Sequence, residues 1–385
     1  MRSLRLDQLP PYLFVEIDGL KESYRRSGRE VLDLGIGDPD LGAPPELIES
    51  LRAALDRPEH HRYPPGRGYP RLVEAIRRWA ERHHGVSIDG GELLVTIGSK
   101  EAIGHLPLAV VNQGDAVLVP DPGYPVYYSS AVLAGAEPVR LPLEESNRYW
   151  PDFGTVHPAT ARRASLLFLN YPNNPTAAMA DEDRFREALE WCRTQGIVLA
   201  HDAAYSEITF GRRAAALFPV ARGSGVPYIE FFSFSKTLSI TGWRIGFAIG
   251  SPDVISALAT VKANLDSGVF GAVQEAVADV CENHFESIAS RMQAVYRERR
   301  DALVPSLERA GLSFTVPDAT FYFWIRTPRG QDSIGFCRLL LEETGIVSTP
   351  GVGFGDHGEG FFRLSITTDI DTIRAAGQRL EARSA

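Results

Sequence analysis

Between Leu93 and Ile249 the chain alternates short apolar runs with stretches of helical spacing, a pattern that few architectures accommodate. Apolar runs from Leu93 to Ile97, Ala116 to Val119, Pro138 to Leu141 and Leu166 to Leu169 read as strands. So do those from Ile197 to His201, Tyr228 to Phe232 and Ile245 to Ile249. Helical spacing covers Lys100 to Val111, Tyr124 to Leu133 and Asp181 to Gln195. Strands this short and this apolar need cover on both faces. The pattern therefore predicts an α/β fold: a large domain with a mostly parallel seven-stranded sheet covered by helices. Ligands of such sheets bind beyond the carboxyl ends of the strands.

The flanks read differently. Residues 1 to 30 look like an arm, with a stiff start at Pro10-Pro11-Tyr12 and helical spacing from Leu13 to Tyr24. A short strand from Val31 runs into the turn Gly35-Ile36-Gly37-Asp38-Pro39, where backbone can approach a ligand closely or simply enter the domain. Pro44 to Leu55 and Tyr69 to His84 read as helices around an exposed loop, His61 to Gly68. Helical periodicity from about Val269 to Ala310 suits two helices. Phe314 to Val316, Phe321 to Ile325, Ser333 to Thr344, Ile346 to Ser348 and Phe361 to Ser365 predict a smaller α/β layer, joined by part of the arm. The expected division is an arm at 1–44, a large domain at 45–268 and a small one at 269–385.

At 385 residues the chain can bury a sizeable core. Its net charge of −9 argues against a nucleic-acid surface. The one compact basic run, Arg297, Arg299 and Arg300, reads as a solvated helix face. Cys192, Cys281 and Cys337 have no disulfide or metal spacing and fit packing in a reducing compartment. No apolar segment approaches membrane-spanning length and no secretory signal is evident, so a cytoplasmic protein is expected.

Four stretches could carry chemistry. Ser233-Phe234-Ser235-Lys236-Thr237 follows the run ending at Phe232, with Arg244 eight residues after the lysine. An amine there could form a Schiff base with an aldehyde cofactor, and the hydroxyls and guanidinium could hold a phosphate. A solvated lysine on a polar loop is the plainer alternative. Gly98-Ser99-Lys100 joins a strand to a helix; Ser99 reads as an N-cap, in a turn that can seat phosphate or merely cap. Asn170-Tyr171-Pro172-Asn173-Asn174-Pro175-Thr176 fixes the backbone so that Asn174 can face a ligand. His201-Asp202-Ala203-Ala204-Tyr205 puts a carboxylate at a strand end, where it either needs a cation or caps a helix.

The order Asn-Asn-Pro-Thr, Asp-x-x-Tyr and Ser-x-Ser-Lys with arginine eight residues on resembles the fold-type I pyridoxal-phosphate aminotransferases, over nearly the whole chain. Pro11-Tyr12-Leu13-Phe14, Asp33 to Asp40, Gly98 to Glu101, Pro120 to Tyr127 and Asp266 to Phe270 are similar to the bacterial LL-diaminopimelate aminotransferases. The resemblance implies pyridoxal 5′-phosphate held on Lys236, with Asp202 paired to its pyridine nitrogen. Asn174 and Tyr205 would bond its phenolic oxygen, and Tyr124 would stack on its ring. Ser99, Lys100, Ser233, Ser235 and Arg244 would hold its phosphate, joined by Tyr63 from the neighbouring subunit of a homodimer. Arg363 would bind the substrate α-carboxylate, with Gly37 and Asn174 beside it. From sequence alone, Arg363 is a basic residue on the apolar strand Phe361 to Ile366, which suggests a buried ion pair. The implied reaction moves an amino group from an amino acid to a 2-oxo acid such as 2-oxoglutarate, with Lys236 as a base of depressed pKa.

Three positions depart from the family pattern. Ala177 stands where glycine is usual, and Val352 where asparagine is usual. Arg67 stands where an acid is expected; it either repels a distal substrate ammonium or points into water. Arg67 motivates an alternative in which the same machinery performs elimination or other α-carbon chemistry.

Overall fold

The computed structural model describes residues 3–9, 21–22, 24–26 and 28–384. The stiff start at Pro10 to Tyr12 and most of the expected helix after it lie outside the described residues. The strands are β1 (Leu32–Asp33), β2 (Leu93–Thr96), β3 (Ala116–Asp121), β4 (Glu137–Pro142), β5 (Ala164–Asn170) and β6 (Val198–Asp202). They continue with β7 (Tyr228–Ser233), β8 (Gly246–Gly250), β9 (Tyr322–Arg326), β10 (Ile346–Val347), β11 (Thr349–Pro350) and β12 (Phe361–Ser365).

Seven strands form the large sheet in the order β2-β8-β7-β6-β5-β3-β4. β8 runs against both its neighbours, and the other neighbouring pairs are parallel. This is the mostly parallel sheet that the alternation predicts. Period-two geometry divides each strand between two cores. Leu94, Phe168, Phe231 and Ala248 face one, under helices Gly98–Val110 and Pro252–Leu265. Leu93, Leu167, Phe232 and Phe247 face the other, under Pro70–His84 and Glu182–Gln195. The apolar run Tyr228 to Phe232 includes Glu230, which is fully buried.

Beyond β8 the expected helical stretch is two helices, Gly271–Asn283 and Phe285–Arg309. The first packs on helices Pro45–Leu55 and Pro70–His84, the second on Ile370–Ser384. A three-stranded antiparallel sheet, β11-β12-β9, and the parallel pair β1-β10 make a smaller α/β layer. The strand expected at Phe314 to Val316 is a single bridge, Phe314 to Ile325.

The turn after β1 is tied on both sides. Thr349 Oγ1 donates to Gly35 O and Thr367 Oγ1 to Ile36 O, each at 2.8 Å. Ser239 Oγ donates to Leu41 O at 2.5 Å. Here one sequence expectation fails. Arg299 is not solvated: it is buried, pairs bidentately with Asp40 at 2.7 and 2.9 Å, and donates to Ile366 O. Arg300 stacks over Phe210. Only Arg297 of that run is exposed. A charge run read alone cannot show an acid that arrives from 259 positions away.

The cysteines are free and buried. No helix of the described residues is long and apolar enough to cross a membrane.

Candidate active site

The C-terminal ends of the parallel strands converge on a cavity of about 510 Å³. β2 delivers Ser99 and Lys100 through the helix that follows it. β5 delivers Asn170 and Asn174, β6 delivers Asp202 and Tyr205, and β7 delivers Ser233, Ser235 and Lys236. β3 leads to Tyr124 and Tyr127, and Gly37, Arg244, Tyr322, Phe354 and Arg363 add to the wall from outside the parallel strands. Tyr63 is absent from it, at 86% exposure.

Lys236 Nζ donates to Gly37 O at 3.1 Å. Burial pushes its amine down to about 8, helped by the Arg244 and Arg363 charges and opposed by Asp38. Beside it lies an anion seat. The helix that starts at Gly98 brings its first turn, Ser99 and Lys100, to the cavity wall, and a helix N-terminus favours an anion. Gly98 has φ +71°, and a Cβ there would meet Arg244 Nη2 at 2.5 Å, so this turn requires glycine. Ser99 is not the cap as expected. It sits inside the first turn, and Glu101 Oε2 accepts the Ile97 N–H at 2.8 Å instead. Ser233 Oγ caps the short helix Phe234–Thr237. Ser235 Oγ is buried with no hydrogen-bond partner among the described residues.

Asp202, also in the cavity wall, is buried, which raises its carboxyl pKa; Tyr127, the Ala204 N–H and His201 oppose that shift. Tyr127 O–H donates to Asp202 Oδ2 at 2.7 Å, and Ala204 N–H to Oδ1 at 3.1 Å. The capping alternative thus accounts for only one bond. Asn170 braces two neighbours: Nδ2 donates to Asp202 O, and Oδ1 accepts the Asn174 N–H, both at 2.8 Å. Behind Asp202, His201 Nε2 accepts the Tyr171 N–H at 3.1 Å. Its proton therefore sits on Nδ1, 2.8 Å from Glu230 Oε1. Burial raises the Tyr205 phenol well above the ordinary range, which keeps it a hydrogen-bond donor.

Arg363 is 2% exposed, but the ion pair expected for it is not found among the described residues. Its Nη1 donates to Asn174 Oδ1 and its Nη2 to Gly35 O, both at 2.8 Å, and Nε has no partner among the described residues. Burial lowers its pKa, opposed by Tyr322 and Tyr205. A buried guanidinium with a donor to spare is matched to a carboxylate brought by a substrate.

Of the departures, Ala177 takes φ +60°, the left-handed conformation that explains why glycine suits this place. Val352 lies outside the cavity wall. Arg67 turns toward the carbonyls of Gly90 and Gly91, at 3.4 and 3.3 Å, and does not line the cavity. Sequence reasoning passed over Tyr127, Asn170, Tyr322 and Phe354. Tyr127 and Asn170 lie within the very motifs quoted, but neither carries a signal of its own. One further acidic group, Glu101 with His105 and Asp266, already holds a cation: Lys262 Nζ lies 3.1 Å from Glu101 and 2.8 Å from Asp266.

These residues fit pyridoxal phosphate. An unpartnered serine hydroxyl, a helix N-terminus and an arginine line a phosphate seat, and a buried carboxylate shares the cavity with an amine of lowered pKa. Residues 29–380 match aminotransferase class I and II. The chain is 44% identical to the LL-diaminopimelate aminotransferase of Syntrophobacter fumaroxidans over 381 residues, 99% of this chain and 98% of the relative. It is 42% identical to that of Aquifex aeolicus over 378 residues, 98% of this chain and 97% of the relative. The substrate-bound structure of BacF from Bacillus subtilis superposes with a TM-score of 0.94 at 34% identity, covering 100% of this chain and 98% of that one. The chain therefore belongs to the class I and II aminotransferases, enzymes that depend on pyridoxal phosphate.

Proposed function

We propose that the enzyme moves the amino group of LL-diaminopimelate, or of a closely related diamino dicarboxylic acid, to a 2-oxo acid such as 2-oxoglutarate. The observation that carries the chemistry is the placement of the Lys236 amine, its pKa lowered to about 8, in one cavity with Asp202 and Arg363. The donor is supported by relatives of that name that match the whole chain.

Pyridoxal phosphate, when bound, supplies an aldehyde that takes up an amine and a ring that withdraws electrons from the substrate α-carbon. Lys236 Nζ is the base that takes the α-proton. Asp202, braced by Tyr127, holds a proton on the ring nitrogen. Asn174 Nδ2 and the Tyr205 hydroxyl donate to the phenolic oxygen, and Tyr124 covers the ring. Ser99, Lys100, Ser233, Ser235 and Arg244 hold the phosphate. Arg363 and the Gly37 backbone orient the α-carboxylate. Tyr63, an exposed aromatic at the tip of its loop, reaches the phosphate in a second copy of the chain, so the working unit is a homodimer. We place the enzyme in the cytoplasm. The packing of helix Gly271–Asn283 on the large-sheet side suggests a boundary near His284 rather than at 268.

The test is a half-reaction. Purified yellow enzyme is mixed with LL-diaminopimelate without an acceptor, and the cofactor absorbance band is followed. The band should bleach and return when 2-oxoglutarate is added. Bleaching by other amino acids but not by diaminopimelate would reject the donor.

A further inference from the structure

Tyr322, the first residue of β9, meets three parts of the cavity at once. Its hydroxyl lies 3.0 Å from the Tyr205 hydroxyl. Its ring centroid lies 4.1 Å from Arg363 Cζ, and Phe354 contributes a second ring at 4.8 Å. A Cβ on Gly37 would fall 2.0 Å from its hydroxyl, so only glycine at 37 leaves room for it.

The strand register causes this placement. β9 and β12 pair Tyr322 with Ser365 and Trp324 with Arg363. Tyr322 and Arg363 are therefore diagonal neighbours on one face, within reach of a long side chain. The ring cannot turn away, because Tyr322 is 3% exposed and its neighbour Phe321 packs against it.

A guanidinium offers donors in its plane and charge above and below it. Here two rings lie against it, while Nε stays unpartnered among the described residues. That arrangement holds the fork's plane and leaves an edge for a carboxylate. The hydroxyl pair completes the link. If Tyr205 donates to the cofactor's phenolic oxygen, the proton between the two hydroxyls must come from Tyr322. A donor that itself accepts a hydrogen bond is a stronger donor.

We infer that Tyr322 is a positioning residue for transamination: its ring aims Arg363 at the substrate carboxylate, and its hydroxyl strengthens Tyr205 as a donor to the cofactor. This rests on the roles proposed above for Arg363 and Tyr205. It adds that one side chain serves both.

Two variants separate the two actions, with Tyr205→Phe and Arg363→Lys as controls. Tyr322→Phe keeps the ring and loses the hydroxyl. It should raise the pH midpoint of the holoenzyme's absorbance change by about half a unit, against about one unit for Tyr205→Phe, because an under-bonded phenolic oxygen holds the nearby proton more tightly. Its KM for 2-oxoglutarate should stay within about twofold, since the guanidinium face remains covered. Tyr322→Leu loses both and should also raise that KM roughly tenfold. An unmoved midpoint in Tyr322→Phe, with Tyr205→Phe shifted, overturns the hydroxyl link. An unmoved KM in Tyr322→Leu, with Arg363→Lys impaired, overturns the ring's role. If the controls themselves change nothing, the roles of Tyr205 and Arg363 fall and the inference with them. Should Tyr322→Leu fail to fold, Tyr322→Phe still decides the hydroxyl link, and the KM of Tyr322→Met decides the ring's role in the same way.

Discussion

A lysine is a base only where its surroundings keep it from holding a proton. Lys236 meets that condition chiefly through burial, with Arg244 and Arg363 adding to it. Its sign for stability follows. Between pH 8 and the ordinary lysine range the unfolded chain binds a proton that the folded, cofactor-free chain does not, so this group alone makes the fold more stable as pH rises through that window. Acylation of Lys236 in the cofactor-free protein, followed by peptide mass spectrometry, should show a midpoint at about 8. A midpoint in the ordinary lysine range would mean that the amine is solvated. At this scale the sequence was legible where chemistry and motif coincide: Lys236, Asp202, Asn174 and Arg244 all reach one cavity. It was silent on Tyr127 and Tyr322. A tyrosine that bonds Asp202 from 75 positions away, or Tyr205 from 117, looks like any other core aromatic.

At the scale of elements, strand ends do most of the placing. Alternation alone located all seven strands of the large sheet to within a few residues, because two cores with opposite parity leave an apolar strand little freedom. The smaller α/β layer was harder. The piece expected at Ile346 to Ser348 is β10, but β11 has two residues, and a pair that short has no periodicity to read. Glu230 shows how a strand can also hold its neighbour. Its carboxylate accepts the N–H groups of Leu217 and Phe218 at 3.0 and 2.8 Å, besides the His201 proton. Replacing it by alanine leaves two buried N–H groups and an imidazole unpaired. Glu230→Ala should therefore lower unfolding free energy by roughly 3 kcal/mol or more, measured by chemical denaturation. A loss under about 1 kcal/mol would mean that water replaces the carboxylate.

For the whole molecule, Tyr63 makes the strongest demand. Its exposure in a single chain is hard to reconcile with its family pattern unless it serves a neighbouring copy. The hypothesis has a genetic signature. Lys236→Ala and Tyr63→Ala subunits, each nearly inactive alone, should regain up to roughly a quarter of wild-type activity when unfolded and refolded together, because random pairing gives half hybrids with one intact site each. A mixture no more active than the sum of its parts would place Tyr63 outside the neighbouring site. The two-sided anchoring of residues 35–41 was beyond sequence reading for a different reason. Its ties to Ser239, Arg299, Thr349 and Thr367 are long-range, and none belongs to a motif.

The bond between Gly35 and Arg363 spans 328 positions. On the ribosome, then, the parts of this cavity emerge in a set order. Every residue proposed to hold the cofactor within one chain lies between Ser99 and Arg244, and has left the exit tunnel well before Arg363 is made. The carboxylate clamp closes only when the chain has been made through Ser365 and β12 has folded against β9. Birth order thus mirrors working order: the seat for the cofactor comes first, and the grip on the substrate last.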